Sequence, residues 1–208
     1  MRTVLIANRK GGVGKTMIAV TLASALANRG ERVGLADADR QQSSRAWLGR
    51  RPPTVPQIRA LNWTKAREIG DAPKKLDWLI IDAPGALKGA KAEALISEAK
   101  AILTPVQPSV FDETSTSGFL DDIEHVKRVR KGKVGVHVIA NRIRPRSRAA
   151  DTLFSFLEDL GYTPMATLSE RAVYGDLAAM GMAIFDRETA SLKPIKAQWE
   201  PILKTIKG

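Results

Sequence analysis

The 208-residue chain contains no cysteine. This absence excludes disulfide bonds, thiolate-held zinc, iron–sulfur clusters and cysteine nucleophiles. Long apolar runs are also missing: the apolar part of the N-terminal MRTVLIANRK is about six residues long, too short for the hydrophobic region of a signal peptide or for a membrane span. We therefore expect a cytoplasmic protein.

Acidic side chains are in the minority. The chain has 33 Lys and Arg against 22 Asp and Glu, which gives a formal net charge of +11. The segment from His125 to Arg148 contains no acidic residue and nine Lys or Arg residues: Lys127, Arg128, Arg130, Lys131, Lys133, Arg142, Arg144, Arg146 and Arg148. Such a run attracts phosphate backbones by counterion release without reading a base sequence, and the alternative is a solvated basic surface. We expect a polyanionic partner.

The chain alternates short apolar runs with segments of helical period, which is typical of βαβ units. Strands are predicted at Thr3–Ala7, Val33–Ala36, Trp78–Ile81, Ala101–Val106, Val134–Ala140 and Met165–Leu168. Helices are predicted from the glycine-rich loop to Gly30, at Ala86–Lys100, Thr114–Arg130, Ser147–Leu160 and Arg171–Met180, and after Ser191. Gly49–Pro56 is predicted to be a surface loop. The pattern predicts one α/β domain over residues 1–208, a doubly wound, mostly parallel sheet with helices on both faces.

The segment RKGGVGKT, residues 9–16, follows a predicted strand and opens a helix. Glycines allow backbone N–H groups to point at phosphate oxygens, and the helix N-terminus adds positive potential. In this setting Lys15 is expected to bind the β and γ phosphates and the Thr16 hydroxyl to bind Mg²⁺. The alternative is a glycine-rich turn that only allows close packing. The segment also has a second lysine, Lys10, and an arginine where the usual loop has its first glycine.

Carboxylates follow two other predicted strands. Asp37 and Asp39 come after the strand that begins at Val33, at the edge of a parallel sheet where ligands bind. One of them could orient an attacking water, or the pair could cap the next helix, a task that Ser43 or Ser44 could also perform. Asp82 ends the strand at Trp78–Ile81, ahead of an Ala-Pro-Gly turn, and is predicted to serve the magnesium shell.

Together RKGGVGKT, DADRQQSS and LIIDAPG resemble the deviant Walker A P-loop ATPases of the ParA/MinD group, in particular its short ParA branch. Pro105–Ser109, the pair Asn141-Arg142 and Glu170–Asp186 extend the resemblance over nearly the whole chain. The resemblance implies that Lys10 reaches the partner subunit's phosphates in an ATP-dependent homodimer that sandwiches two nucleotides. It departs from the family at Arg40, where a proline is usual after the second aspartate.

The resemblance also implies site roles. Asp39 would orient the hydrolytic water with Asp37 as its supporting neighbour, Asp82 would bind Mg²⁺ through water, and Asn141 would contact adenine. The implied nucleotide-binding residues are Lys10, Gly11, Gly12, Val13, Gly14, Lys15, Thr16, Met17, Asp82, Asn141 and Arg142. The implied magnesium residues are Thr16, Asp37 and Asp82.

The resemblance implies a nucleoid-associated ATPase whose dimers bind DNA nonspecifically. A ParB-like or other adaptor protein would stimulate its slow hydrolysis to segregate or position a cargo. Because the chain begins almost at the loop, we expect no operator-binding domain. The alternative is a MinD-like ATPase that binds a membrane through the segment around Trp199 and Leu203, although Pro194 and Pro201 disfavour a long insertion helix. Cluster-carrying relatives need cysteines, and a tyrosine kinase needs a tyrosine-rich tail, so both fit poorly.

Overall fold

A computed structural model of the chain describes residues 1–207, apart from the side chains of residues 110–114; residue 208, the predicted end of the domain, lies outside them. Seven strands are present: β1 (Arg2–Ile6), β2 (Val33–Asp37), β3 (Arg59–Asn62), β4 (Trp78–Asp82), β5 (Ala101–Val106), β6 (Gly135–Ile143) and β7 (Ala166–Ser169). They form one sheet in the order β3-β2-β4-β1-β5-β6-β7, and every pair is parallel. The predicted doubly wound α/β fold is confirmed.

Helices connect the strands. They are α1 (Lys15–Ala27), α2 (Ser43–Gly49), α3 (Gly89–Glu98), α4 (Val110–Glu124), α5 (Lys127–Arg130), α6 (Arg148–Asp159), α7 (Val173–Ala179), α8 (Lys193–Ala197) and α9 (Glu200–Thr205). The side chains of α1 and of the C-terminal segment pack in one apolar cluster, and those of α3, α4 and α6 pack in a second. The sheet therefore has apolar cover on both faces, which is why its central strands are buried along their whole length.

All six predicted strands are present, with ends within three residues of the prediction. Two segments that were each predicted to form one continuous helix are interrupted. The helix predicted at Thr114–Arg130 breaks at Val126, whose φ of −66° and ψ of 123° are extended. The helix predicted after Ser191 is divided into a 3₁₀ turn, α8 and α9, with Pro194 and Pro201 in the first turns of the two helices.

Strand β3 was not predicted, because its four residues RALN lie mostly exposed at the edge of the sheet and form no apolar run. The final segment packs on the core: Trp199 is 1% exposed, and Ile202 and Leu203 are fully buried. These three apolar side chains are thus buried in the protein core. No helix among the described residues has the length and apolar character needed to cross a bilayer.

A buried ion pair joins the predicted Gly49–Pro56 loop to the C-terminal part of the chain. The Arg51 guanidinium donates to both carboxylate oxygens of Asp186, at 2.9 and 2.8 Å, and the two side chains are 1% and 0% exposed. Asp186 also accepts from Asn28 Nδ2 at 2.7 Å and from the Ala183 N–H at 2.8 Å. Arg51 is therefore a core residue although it lies in a proline-rich loop.

Replacing Asp186 with alanine is expected to destabilise the protein by about 3–5 kcal/mol, because the substitution leaves the Arg51 charge buried without its partner. Urea unfolding of the purified chain measures this. Glu200→Ala is the control, since the Arg29–Glu200 pair is partly exposed and should be worth less than about 1 kcal/mol. Equal losses in the two variants would mean that the buried pair has no special role.

Candidate nucleotide-binding site

The glycine-rich loop lies between β1 and α1, at the carboxyl edge of the central strand. Gly12 and Gly14 have φ values of 81° and 94°, a conformation that favours glycine. A Cβ on Gly14 would lie 2.3 Å from Asn141 Nδ2, and this amide donates to the Val13 carbonyl at 2.8 Å. Asn141, predicted to contact adenine, thus also supports the loop from β6.

The Lys15 ammonium folds back into the loop. Its Nζ donates to the Lys10 carbonyl at 2.7 Å, and the residue is 7% exposed. Burial lowers the pKa of Lys15, and the carboxylates of Asp82 and Asp39 oppose this shift. A nearly buried cation at a helix N-terminus is suited to bind an anion that replaces its lost hydration.

Asn8, which the sequence analysis missed, fixes the start of this loop. Its Oδ1 accepts from the Lys10 N–H at 3.1 Å, while its Nδ2 donates to the Pro105 carbonyl at 2.9 Å and to Thr116 Oγ1 at 3.1 Å. The main chain of Lys10 is therefore held at both its N–H and its carbonyl. The signal available in the sequence was a polar residue directly after an apolar strand.

Asp37 is fully buried at the end of β2. Its carboxylate accepts from the Asp39 N–H at 3.0 Å, from Ser44 Oγ at 2.7 Å and from the Arg45 N–H at 3.0 Å. Asp37 therefore accepts hydrogen bonds from the first turn of α2, as the alternative interpretation of a helix cap predicts. Through the Asp39 N–H it also positions the second aspartate. Its role as a magnesium ligand stays a prediction.

Asp82 ends β4 beside the start of α1, and it is 1% exposed. Burial raises the pKa of its carboxyl to about 7, and the Asp37 carboxylate adds to the rise; the hydroxyls of Thr16 and Ser44 and the Lys15 ammonium oppose it. Its Oδ1 is buried and has no hydrogen-bond partner within the described residues.

These contacts fit Mg²⁺. An orphaned carboxylate oxygen beside the Thr16 hydroxyl supplies hard oxygen ligands, and Mg²⁺ is usually held by one or two such groups together with waters and phosphate oxygens. A cage of three or more His, Cys, Asp or Glu side chains does not occur in the part of the chain that the structure describes. The geometry therefore allows a Mg²⁺ site in which the protein supplies few ligands and nucleotide phosphates supply the others.

Asp82→Asn is expected to stabilise the nucleotide-free protein above pH 7 by roughly 2–4 kcal/mol. The folded carboxyl has a pKa of about 7 against an ordinary value of 3.8, so between these pH values the folded state holds a proton that the unfolded state has released. Stability attributable to this group therefore falls as pH rises from 3.8 to about 7 and is level above.

Thermal unfolding of wild type and Asp82→Asn, measured without and with Mg²⁺ and ATP, tests this. The variant should lose the decrease in stability that Asp82 contributes between pH 4 and pH 7, and it should also lose the magnesium-dependent part of the stabilisation by nucleotide. Thr205→Val, a change on the exposed side of α9, is the control. A variant that is less stable than wild type at pH 8 would contradict the account.

Asp39 lies at the junction of three loops. It is half-buried, and its carboxylate accepts from the Gln41 N–H at 3.0 Å and from the Gly85 N–H at 3.4 Å. The next residue of that turn, Ala86, donates its N–H to the Arg9 carbonyl at 2.8 Å. Hydrogen bonds thus link the glycine-rich loop, the loop that contains Asp39 and the Ala-Pro-Gly turn after β4.

Lys91 of α3 is a further residue at this junction that the sequence analysis missed. Its ammonium donates to the Ala38 carbonyl at 2.6 Å and to the Thr64 carbonyl at 3.3 Å, and burial lowers its pKa. It borders a cavity of about 740 Å³ that Asp39 and Gly85 also line. A single lysine in an amphipathic helix carries no signal of such a role.

A second cavity, of about 520 Å³, opens beside the first turn of α1. It brings together three predicted nucleotide-binding residues, Met17, Asn141 and Arg142, with residues that were not predicted: Ile18, Leu168, Ser169, Glu170, Arg171, Ala172, Tyr174, Gly175 and Trp199. Arg142 has a φ of 54° where the pairing of β6 with β7 is irregular. The cavity has a mixed apolar and polar lining of the kind that holds a base and ribose.

Comparisons with known proteins agree with this geometry. The family described as CobQ/CobB/MinD/ParA nucleotide binding domain matches residues 4–179. The maintenance of carboxysome distribution protein A of Halothiobacillus neapolitanus is 30% identical over 188 residues, which cover 88% of this chain and 86% of that protein.

Two solved structures show the same fold. The MinC:MinD cell division protein complex of Aquifex aeolicus matches with a TM-score of 0.78 at 19% identity, covering 100% of this chain and 96% of that one. A McdA–ATP complex of Cyanothece matches with a TM-score of 0.73 at 19% identity, covering 97% and 96%. With the family match extending over most of its length, the chain belongs to the CobQ/CobB/MinD/ParA nucleotide-binding domain family and is a ParA/MinD-type ATPase.

Proposed function

We propose that the chain is a ParA-type positioning ATPase that binds ATP with Mg²⁺ and dimerises around the nucleotides. The dimer binds DNA nonspecifically and hydrolyses ATP when an adaptor protein stimulates it. One observation carries the proposal: the Lys15 ammonium is nearly buried in the loop, held by the Lys10 carbonyl, with the Asp39 and Asp82 carboxylates nearby. This arrangement supports a phosphate site in which the acidic groups would bind the metal and orient water.

Each loop residue has a task in this proposal. The backbone N–H groups of residues 11–16 hold the phosphates, Lys15 neutralises their charge, and Thr16 and Asp82 hold Mg²⁺. When bound, Mg²⁺ withdraws charge from the phosphate oxygens. Met17, Asn141 and Arg142 line the cavity for the base and ribose. Asp39 orients the water, and Asp37 fixes Asp39 through its main-chain N–H.

Lys10 is the residue on which dimerisation depends. Its main-chain N–H and carbonyl are both hydrogen-bonded, so the starting point of its side chain is fixed at the rim of the loop. From there the ammonium would cross to the phosphates bound by the second copy. A cation contributes most where charge is concentrated and water is excluded, which is the middle of such a sandwich.

The proposed cargo is a plasmid, a chromosome or a protein cluster, recognised through a ParB-like or other adaptor. The carboxysome-distribution relative supports a protein compartment as one possibility of this kind. The proposed location is the nucleoid, because the formal net charge of +11 favours polyanions. The same charge would favour an anionic membrane, but Trp199 and Leu203, which a membrane anchor would need, are buried in the core.

The DNA step is tested by a salt titration with a random-sequence duplex and a non-cleavable ATP analogue. Binding should require the analogue and Mg²⁺ and should weaken on the order of 10³-fold between 50 and 200 mM salt. Binding with ADP is the control and should be weaker at every salt concentration. Salt-insensitive binding, or sedimentation with anionic liposomes in place of DNA binding, would contradict the proposal.

A further inference from the structure

Strand β6 divides the basic run of residues 125–148 into two groups. The strand is nine residues long, Gly135–Ile143, which corresponds to roughly 30 Å at about 3.3 Å per residue. Lys127, Arg128, Arg130, Lys131 and Lys133 precede the strand, and Arg142, Arg144, Arg146 and Arg148 lie at or beyond its end. The run is therefore not one surface, and the two groups lie at opposite edges of the sheet.

The first group continues along the amino edge of the sheet through hydrogen bonds between successive strand starts. The Gly135 N–H donates to the Lys100 carbonyl at 3.1 Å, and the Lys100 N–H donates to the Thr3 carbonyl at 2.9 Å. The Arg2 N–H in turn donates to the Asp77 carbonyl at 2.9 Å, next to Lys74 and Lys75. From β4 to β6 this row crosses three strand spacings, about 14 Å, a length that spans about eight phosphate charges of a duplex.

We call these residues the amino-edge surface: Arg2, Lys74, Lys75, Lys100, Lys127, Arg130, Lys131 and Lys133. All of them are exposed, and none forms an ion pair within residues 1–207 as described. Acidic residues in the segments around this surface include Glu31, Asp71, Asp77, Glu98, Asp121 and Glu124. The Asp77 carboxylate accepts from Arg32 Nε at 2.9 Å and from Arg32 Nη2 at 2.7 Å. The Glu124 carboxylate accepts from the Tyr162 hydroxyl at 2.6 Å.

Two of the four residues in the second group are engaged by their own neighbours, whereas Arg146 and Arg148 are exposed. Arg144 forms an ion pair with Glu170, and Arg142 lines the candidate base cavity. These cations lie at the carboxyl edge, where the phosphate loop and the candidate dimer contact are found. Counterion release requires cations that are free to exchange solvent ions for phosphates, which favours the amino edge.

We propose that the amino-edge surface is where this protein contacts the phosphate backbone of duplex DNA, an inference that rests on the proposed function. In the proposed dimer the two carboxyl edges face each other across a two-fold axis, so the two amino edges lie at its far ends. A nucleotide-bound dimer then carries two separate DNA surfaces and holds two duplexes at once.

The test compares two triple variants that each remove three positive charges. Arg130→Gln, Lys131→Gln and Lys133→Gln alter the amino edge, and Arg144→Gln, Arg146→Gln and Arg148→Gln are the matched control. DNA affinity is measured by fluorescence anisotropy at several salt concentrations, with a non-cleavable ATP analogue and Mg²⁺. The amino-edge variant should lower the slope of log K against log salt by about 2.7, that is about 0.9 for each lost phosphate contact. The control variant should change it by less than about 1.

Stabilisation by nucleotide, followed in thermal unfolding, shows that both variants remain folded and bind the analogue. An equal loss in the two variants, or a larger loss in the control, overturns the location of the surface while leaving nonspecific DNA binding intact. Wild type that binds no duplex overturns the inference together with the DNA step of the proposed function. Wild type that instead sediments with anionic vesicles does the same and assigns the surface to membranes.

A bridging assay tests the second consequence. Beads that carry one duplex should retain a second, fluorescent duplex when wild-type protein and the analogue are added, and retention should disappear with ADP or with the amino-edge variant. Normal DNA binding without retention of the second duplex would contradict the placement of the surfaces at opposite ends.

Discussion

Replacing Asp39 with alanine is expected to lower ATP turnover by roughly 100-fold or more while nucleotide affinity stays within a few-fold of wild type. The carboxylate lies at the junction of the phosphate loop, its own loop and the Ala-Pro-Gly turn, where it accepts from the Gly85 N–H. In the proposed function Asp39 orients the water, so its loss slows the chemical step and leaves the contacts to phosphate in place. Dimers should therefore persist in ATP rather than decay.

Single-turnover hydrolysis, followed with size exclusion in ATP, measures both effects. Asp39→Asn is the informative companion, because it keeps the hydrogen-bonding shape and removes the charge. Arg40→Ala is the matched control, since Arg40 is an exposed neighbour without a proposed part in the chemistry. Turnover in Asp39→Ala comparable to that of wild type would mean that another group orients the water.

The fold and the position of the glycine-rich loop were predictable from the sequence, because each depends on local patterns. Apolar runs of four to seven residues, each followed by a polar residue, predicted the strands, and glycines beside Lys15 and Thr16 predicted the loop at the strand-to-helix turn. A resemblance to a known family added the interpretation of Lys10. These signals lie within a few neighbouring residues, and sequence reasoning is strongest at that range.

The contacts that hold the site together were not predictable, because they join residues far apart in the chain. Asn8 reaches Thr116, Lys91 reaches Ala38, and Asn141 reaches Val13. Each is an ordinary polar residue whose task depends on the tertiary structure. Arg51 is the clearest case, since a proline-rich loop predicts exposure and the ion pair with Asp186 buries it.

The basic run illustrates the same limit. Its composition predicted attraction to a polyanion, but composition carries no direction, and a nine-residue strand in its middle sends the two halves to opposite edges. Charge along a sequence forms a surface only where the fold brings the residues together.

Lys10→Ala is expected to abolish the ATP-dependent dimer. The proposed dimer would lose two symmetric charge-assisted contacts to phosphate, each worth roughly 1.5–3 kcal/mol, so dimer affinity should fall about 10²–10⁴-fold. The loop itself should survive, because the substitution keeps the main-chain N–H and carbonyl of Lys10, which bond to Asn8 and Lys15. Nucleotide binding by the single copy is therefore expected to remain.

Size exclusion with light scattering, in a non-cleavable ATP analogue and Mg²⁺, tests this central claim most directly. Wild type should elute at twice its 22.6 kDa mass, Lys193→Ala, a change of an exposed lysine on α8, should do the same, and Lys10→Ala should remain at the monomer mass. Wild type that stays monomeric, or a Lys10→Ala variant that dimerises as well as wild type, would contradict the account.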